Sequence, residues 1–142
     1  MDRKSWTLLA ISFAAEAGLS PVQLQKCLFL LGRQLKKHVG EDFYEFFPYD
    51  YGPFCKAVYQ DAEVLASEGL IFIERPSGGY ATYRITPKGA RRARQLSREG
   101  PAPAVKHLRT VIEWALPLSF SELVRAIYNR YPEYRTNSVF QF

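Results

Sequence analysis

The chain has 142 residues, is 47% hydrophobic and carries a formal net charge of +5, with two cysteines and two histidines. That length is enough for one domain with its own core, and that hydrophobic content argues against disorder. The basic balance favours polyanions or acidic proteins as partners, no Cys/His spacing resembles a zinc site, and Cys27 and Cys55 form no C-x-x-C pair and fit inert core thiols of a reducing cytoplasm.

In chain order, residues 5–17 ("SWTLLAISFAAEA") predict a first helix stopped by Gly18; its apolar run is too short to span a bilayer, so neither a signal peptide nor a transmembrane helix is expected. A second helix starts at Ser20, with Pro21 in the first position and Gln23 completing a capping box. Leu24, Leu28, Leu31 and Leu35 repeat at one helical stripe. Arg33, Lys36, Lys37 and His38 crowd its last turns, where cations suit the helix dipole, and Gly40 ends it.

Residues 41–51 read as irregular or briefly extended. Within them begins "FFPYDYGPF" (46–54), five aromatic rings punctuated by Pro48, Gly52 and Pro53, which together forbid one regular element. A third helix is predicted from near Pro53 to Glu68, with Val58, Ala62 and Leu65 inward and Gly69 as its stop. The aromatic stretch is expected to wedge this helix against the second one and against the hairpin that follows. Its alternative is a platform for bases or a partner protein, carried by Tyr49, Tyr51 and Phe54, of which Tyr49 and Tyr51 are the rings expected to be exposed.

Two strand-like runs, "LIFIERP" and "GYATYRIT", flank a turn "PSGG" and predict a β-hairpin with Leu70, Phe72 and Ile85 inward and Glu74, Arg75 and Arg84 wet. Thr86 caps a fourth helix, "TPKGARRARQLSRE", with Pro87 in its first position. Residues 100–105 ("GPAPAV") read as a linker, and a helix follows over 104–116. Last comes a helix opened by a second capping box, Ser119 with Glu122, and closed by Pro132.

Helix, helix, helix, hairpin, helix is the order of a winged helix-turn-helix domain. The expected fold is therefore mainly α with a small β-hairpin, a winged-helix-like core over 1–99 and a helical extension over 100–142 packed on it. "LQK–LFLL" (24–31), "F–PYDYGPF" (47–54), "EGLI" (68–71) and "YNRYPEYRTNS" (128–138) together resemble the YwgA-like proteins and the Panacea (SocA-like) antitoxin-associated domain of small prokaryotic proteins. The resemblance implies a winged-helix module from the neighbourhood of toxin–antitoxin, mobile-element and defence genes; Cys27 stands where such proteins usually have an aliphatic residue.

In this fold the third helix enters the major groove. Lys56 and Gln60 are its candidate base readers, opposed by Asp61, Glu63 and Glu68 if these face the same way. A dozen residues between the second and third helices replace the usual short turn. Cations gather instead in the hairpin and the helix after it: Arg75, Arg84, Lys88, Arg91, Arg92, Arg94 and Arg98. Arg91, Arg94 and Arg98 share one flank of that helix, Lys88 and Arg92 another; a solvated face is the plain alternative to a phosphate-binding one. Arg33, Lys36 and Lys37 either extend the patch or only cap their helix. No nucleotide-binding, metalloprotease or hydrolase motif is present, so no catalytic, cofactor or metal residue is assigned. Two functions remain: a cytoplasmic, dimeric winged-helix regulator binding DNA or another nucleic acid, or an interaction module such as an antitoxin or a subunit of a defence complex that binds a partner protein.

Overall fold

A computed structural model describes residues 1–140. These residues form seven α-helices and two two-stranded antiparallel sheets. The helices are α1 (Arg3–Phe13), α2 (Pro21–Gln34), α3 (Lys36–Val39), α4 (Lys56–Ser67), α5 (Pro87–Glu99), α6 (Ala102–Ala115) and α7 (Phe120–Arg130). One sheet pairs β1 (Phe47–Tyr49) with β2 (Gly52–Phe54), the other β3 (Ile71–Glu74) with β4 (Thr82–Ile85). No helix of the described residues is long and apolar enough to cross a membrane.

α1 and α2 form the centre. Trp6 to Ile11 and Leu24 to Leu31 are each buried without interruption, which an amphipathic surface helix cannot be. α1 packs against α4, α5 and α6, and α6 lies along α2. The helices after residue 100 thus share the core, with Ala104, Leu108, Ile112 and Ala115 inaccessible to solvent.

The caps follow from the sequence. Ser20 with Gln23, and Ser119 with Glu122, close both reciprocal bonds of a capping box, and Thr86 Oγ1 accepts from the Gly89 amide. Four boundaries and the facing of one strand differ. α1 ends at Phe13 and the chain passes through a 3-10 turn, Ala15–Ala17. α2 breaks at Leu35, whose backbone leaves the helical region before α3. α4 begins at Lys56 and not at Pro53, which sits in β2 opposite Pro48. The expected linker shrinks to Gly100 and Pro101, because Pro101 and Pro103 fall where a helix needs no amide hydrogen. In β3 the inward phase is shifted by one: Ile71 is buried, whereas Phe72 lies at 47% exposure beside Arg84, its partner across the ladder; in β4 Ile85 faces the core and Arg84 does not, as expected, and Tyr83 is buried. Ile71 pairs with Ile85 and Ile73 with Tyr83, so these four share the inner face and a one-residue slip would expose them all.

Two close approaches fix the ribbon. Leu19 and Tyr83 exchange backbone bonds of 3.0 and 2.8 Å, so the segment between α1 and α2 adds a bridge to the free side of β4. A Cβ on Gly18 would meet the Tyr83 carbonyl at 2.9 Å. At the other end, the carbonyls that finish α4 are taken up by the start of α5. Thr86 Oγ1 donates to Gly69 and Leu70 at 2.7 and 2.9 Å, and Lys88 Nζ donates to Glu68 at 2.9 Å. Gly89 lies so close that an added Cβ would sit 1.8 Å from the Leu70 carbonyl oxygen. This is the physical content of "EGL…TPKG": the end of one helix and the beginning of another cap each other across the ribbon.

Candidate nucleic-acid interface and aromatic hairpin

Two surfaces carry the residues singled out from the sequence. The first comprises the outer sides of α4 and α5, which pack on α1 separately. Lys56 and Gln60 are exposed on α4, opposite the buried line Val58, Ala62 and Leu65. The carboxylates of this helix are each paired. Asp61 turns toward α1, 3.2 Å from Arg3 Nε, and accepts from Tyr44 Oη at 2.6 Å. Glu63 pairs with Arg75 of the ribbon, and Glu68 with Lys4 at 3.1 Å. The exposed Glu63 and Glu68 pairs stabilise little, about 0–1 kcal/mol each, but with the Asp61 pair they neutralise α4, and Asp61 is withdrawn from its outer face. Tyr44 also shares a 2.6 Å bond with Thr7 Oγ1; burial, then the Asp61 contact, holds its hydroxyl above the usual tyrosine range.

The seven cations of the ribbon and α5 divide in two. Arg75 is held by Glu63 and Arg84 by Glu74 and the Glu16 carbonyl. Lys88 is held by the Glu68 carbonyl and Arg92 by Gln95. Arg91, Arg94 and Arg98 are exposed, and among the described residues they have no acceptor. They lie at i, i+3 and i+7, opposite buried Gly89, Ala93 and Leu96, and form one outward row. Arg33 belongs to neither group: its guanidinium lies 4.9 Å from the Tyr131 ring centroid and 3.5 Å from Glu133.

The second surface is the β1–β2 hairpin made from "FFPYDYGPF". It does not simply wedge α4 against α2. Tyr49 and Tyr51 are 56% and 43% exposed, and Phe47, not singled out from the sequence, is 58% exposed. Tyr49 stacks on Phe54 at 5.2 Å, and Phe54 meets Tyr59 of α4 edge-on at 5.5 Å. Of the five rings, only Phe54 reaches α4 in the expected way; Phe46 packs edge-on against Phe29 of α2. Between the exposed rings and α4, Phe47, Tyr49, Phe54, Lys56 and Arg3 line an open groove of about 540 Å³.

The hairpin backbone is pinned from two directions. From α2, buried Gln25 donates through Nε2 to the Cys55 carbonyl and accepts through Oε1 from the Cys55 amide, both at 2.9 Å. Cys55 has no capping side chain of its own, so Gln25 determines where α4 starts. Next to it, Lys26 is 3% exposed, and its Nζ donates to the Pro53 carbonyl at 3.2 Å. Burial alone pushes this ammonium down to about 8. From the C-terminal side, Ser138 Oγ and the Val139 amide donate to the Asp50 carbonyl at 3.2 and 2.9 Å. Tyr128 Oη donates to Ser138 Oγ at 2.7 Å, and Asn137 reaches the Pro48 carbonyl. Gly52 (φ 104°) is packed against Tyr128 and the Lys26 methylenes.

Sequence reasoning assigned none of these contacts to Gln25, Lys26, Asn137 or Ser138. The available signal was a charged residue inside the apolar run "LQKCLFLL". Cys27 and Cys55 are free and buried, and burial pushes the Cys27 thiol up to about 12, so it is inert at neutral pH. Among the described residues no group of three His, Cys, Asp or Glu side chains is placed to hold a metal ion.

No family model and no curated protein matches this chain. What the geometry defines is a class of architecture, a mainly α protein bearing two small antiparallel β-ribbons.

Proposed function

We propose that this protein is a cytoplasmic winged-helix regulator that acts by binding nucleic acid, as a homodimer, at a prokaryotic defence or toxin–antitoxin locus. The observation that carries the reading is the Leu19–Tyr83 bridge. It adds a third strand-like segment, lying between the first two helices in sequence, to the outer side of β4, which is the strand arrangement of a winged helix with the β3–β4 ribbon as wing and α4 as recognition helix. The paired carboxylates of α4 support it, because Lys56 and Gln60 then meet the groove without opposing charge from Asp61. Arg91, Arg94 and Arg98 serve as phosphate contacts beside the wing.

Fluorescence anisotropy with a mixed-sequence duplex tests the reading. Three phosphate contacts correspond to a slope of log affinity against log salt of about −2.7. Absence of binding to any duplex at low salt overturns it.

One observation favours a second reading, an interaction module for a partner protein: Phe47, Tyr49 and Tyr51 stand exposed on a pinned backbone. Rigid exposed aromatics are the side chains that dominate protein interfaces. Co-purification that survives nuclease treatment and is lost on replacing Tyr49 and Tyr51 would support it over the first.

A further inference from the structure

A third concave site lies where the starts of α2 and α7 meet the tip of the β3–β4 ribbon, adjoining the aromatic hairpin through the Tyr51–Phe120 contact. Its volume is about 150 Å³, and its apolar wall is made by Pro21, Val22, Tyr80, Leu118, Phe120 and Leu123. Phe120 is held edge-on by Tyr51 at 5.1 Å and by Phe140 at 6.1 Å, so this wall is braced from behind. Tyr80 is 80% exposed and follows Gly78 and Gly79, whose positive φ angles turn the ribbon tip. The polar side chains on the rim are Ser20, Gln23 and Ser119. Each gives an acceptor to a capping box: Ser20 Oγ accepts from the Gln23 amide, Gln23 Oε1 from the Ser20 amide, and Ser119 Oγ from the Glu122 amide, which leaves the two hydroxyl protons and the Gln23 Nε2 to donate to a neutral polar group of a ligand. No charged side chain lines the site.

We infer that this is a binding site for a small, uncharged, single-ring aromatic molecule, closed on its solvent side by Tyr80. Size and lining select the occupant. An apolar protein cavity of about 150 Å³ takes up benzene, and a braced phenyl ring opposite a free tyrosine offers edge and face contacts to one more ring. A charged ligand would lose hydration with no counter-charge in the lining to offset it. The site does not involve α4 or the α5 arginines, although Tyr80 belongs to the ribbon that the nucleic-acid reading takes as the wing; ligand binding is measured without nucleic acid, so the two readings fail separately.

The test is a titration of the whole protein with 4-fluorophenol followed by ¹⁹F NMR, with 4-fluorobenzoate as the charged counterpart. The expected result is saturable broadening and shift of the 4-fluorophenol line, reversed by toluene, with binding of 4-fluorobenzoate at least about tenfold weaker. Val22→Phe fills the site and should abolish the effect. Tyr80→Ala removes the lid at a position too exposed to matter for folding and should weaken binding about tenfold, the equivalent of 1.4 kcal/mol. Melting temperatures of both variants are measured alongside, and Tyr80→Ala keeps the test decisive if Val22→Phe unfolds the chain. Absence of saturable binding, equal binding of the benzoate, or an unchanged response in Tyr80→Ala overturns the proposal.

Discussion

Lys26→Met isolates the energetics of the buried ammonium beneath the hairpin. The side chain is 3% exposed, and burial pushes its pKa from an ordinary 10.5 to about 8. The drop of about 2.5 corresponds, at about 1.36 kcal/mol per pH unit, to roughly 3 kcal/mol by which the charged lysine opposes folding at pH 7. Because the folded value lies below the unfolded one, the unfolded chain binds more protons between pH 8 and 10.5, and stability rises with pH across that window. Below pH 8 the lysine is charged in both states and contributes no slope. Methionine keeps the methylene packing against Gly52 but strands the Pro53 carbonyl, which costs about 1–3 kcal/mol. The two effects nearly cancel at pH 7, so the absolute change is small and the pH dependence is the informative quantity. Urea unfolding of both proteins at several pH values between 7 and 10 should show the wild-type chain gaining about 2–3 kcal/mol relative to the variant. Tyrosines and the other lysines titrate in both proteins and drop out of the difference. Parallel stability curves would show that Lys26 is solvated and that the hairpin does not rest on it.

Gly89→Ala places a Cβ 1.8 Å from the Leu70 carbonyl oxygen, and since that atom is backbone, relief requires parting α5 from the ribbon; a loss of about 3 kcal/mol is expected from chemical denaturation, and a loss below about 1 kcal/mol would contradict the close approach. Replacing Arg91, Arg94 and Arg98 together with alanine should leave the melting temperature nearly unchanged and flatten the salt dependence of duplex binding by about 2.7; Arg84→Ala should instead lower stability, because its guanidinium holds the Glu16 carbonyl at 2.7 Å. Ser20→Ala removes one half of a closed capping box and should cost about 1 kcal/mol in urea unfolding. Tyr49→Ala with Tyr51→Ala should cost no more than about 2 kcal/mol, since each ring is about half exposed and keeps one ring contact, to Phe54 and Phe120; a larger loss would make them core and remove the surface for a partner.

What was legible in the sequence is what depends on neighbours within a few residues. Both capping boxes, the Thr86 cap, the glycine tip of the ribbon and the inner line of α4 are local patterns, and each is present. The inward phase of β3 was not legible, because Phe72 and Ile71 are both good strand residues, whereas that of β4, with Ile85 in and Arg84 out, was. The start of α4 was hidden for a similar reason. Pro53 is an apt first helical residue, yet Gln25, thirty positions earlier, holds Cys55 extended. The fate of the cations was the least visible. Arg84 and Arg94 look alike in sequence, but one is bound to a backbone carbonyl from before α2 and the other faces solvent.

The hairpin gathers three of the four segments that carried the family resemblance: "LQK", "PYDYGPF" and "YNRYPEYRTNS". Taken alone it should not persist. Its strands have three residues each, and the central pair is Pro48 opposite Pro53, neither of which donates to the ladder. The structure replaces the missing ladder with side chains: Gln25 and Lys26 from α2, Asn137 and Ser138 from beyond α7. One of them, Lys26, is charged and buried, and its ammonium satisfies the Pro53 carbonyl that the proline pair leaves without a ladder partner. The consequence is that Phe47 and Tyr49 remain in solvent, where unpinned rings would collapse onto the apolar surface beside them. A backbone held this rigidly loses little entropy when something docks on it. That is the physical basis of the second proposed reading, in which the aromatic face is the surface a partner protein would meet.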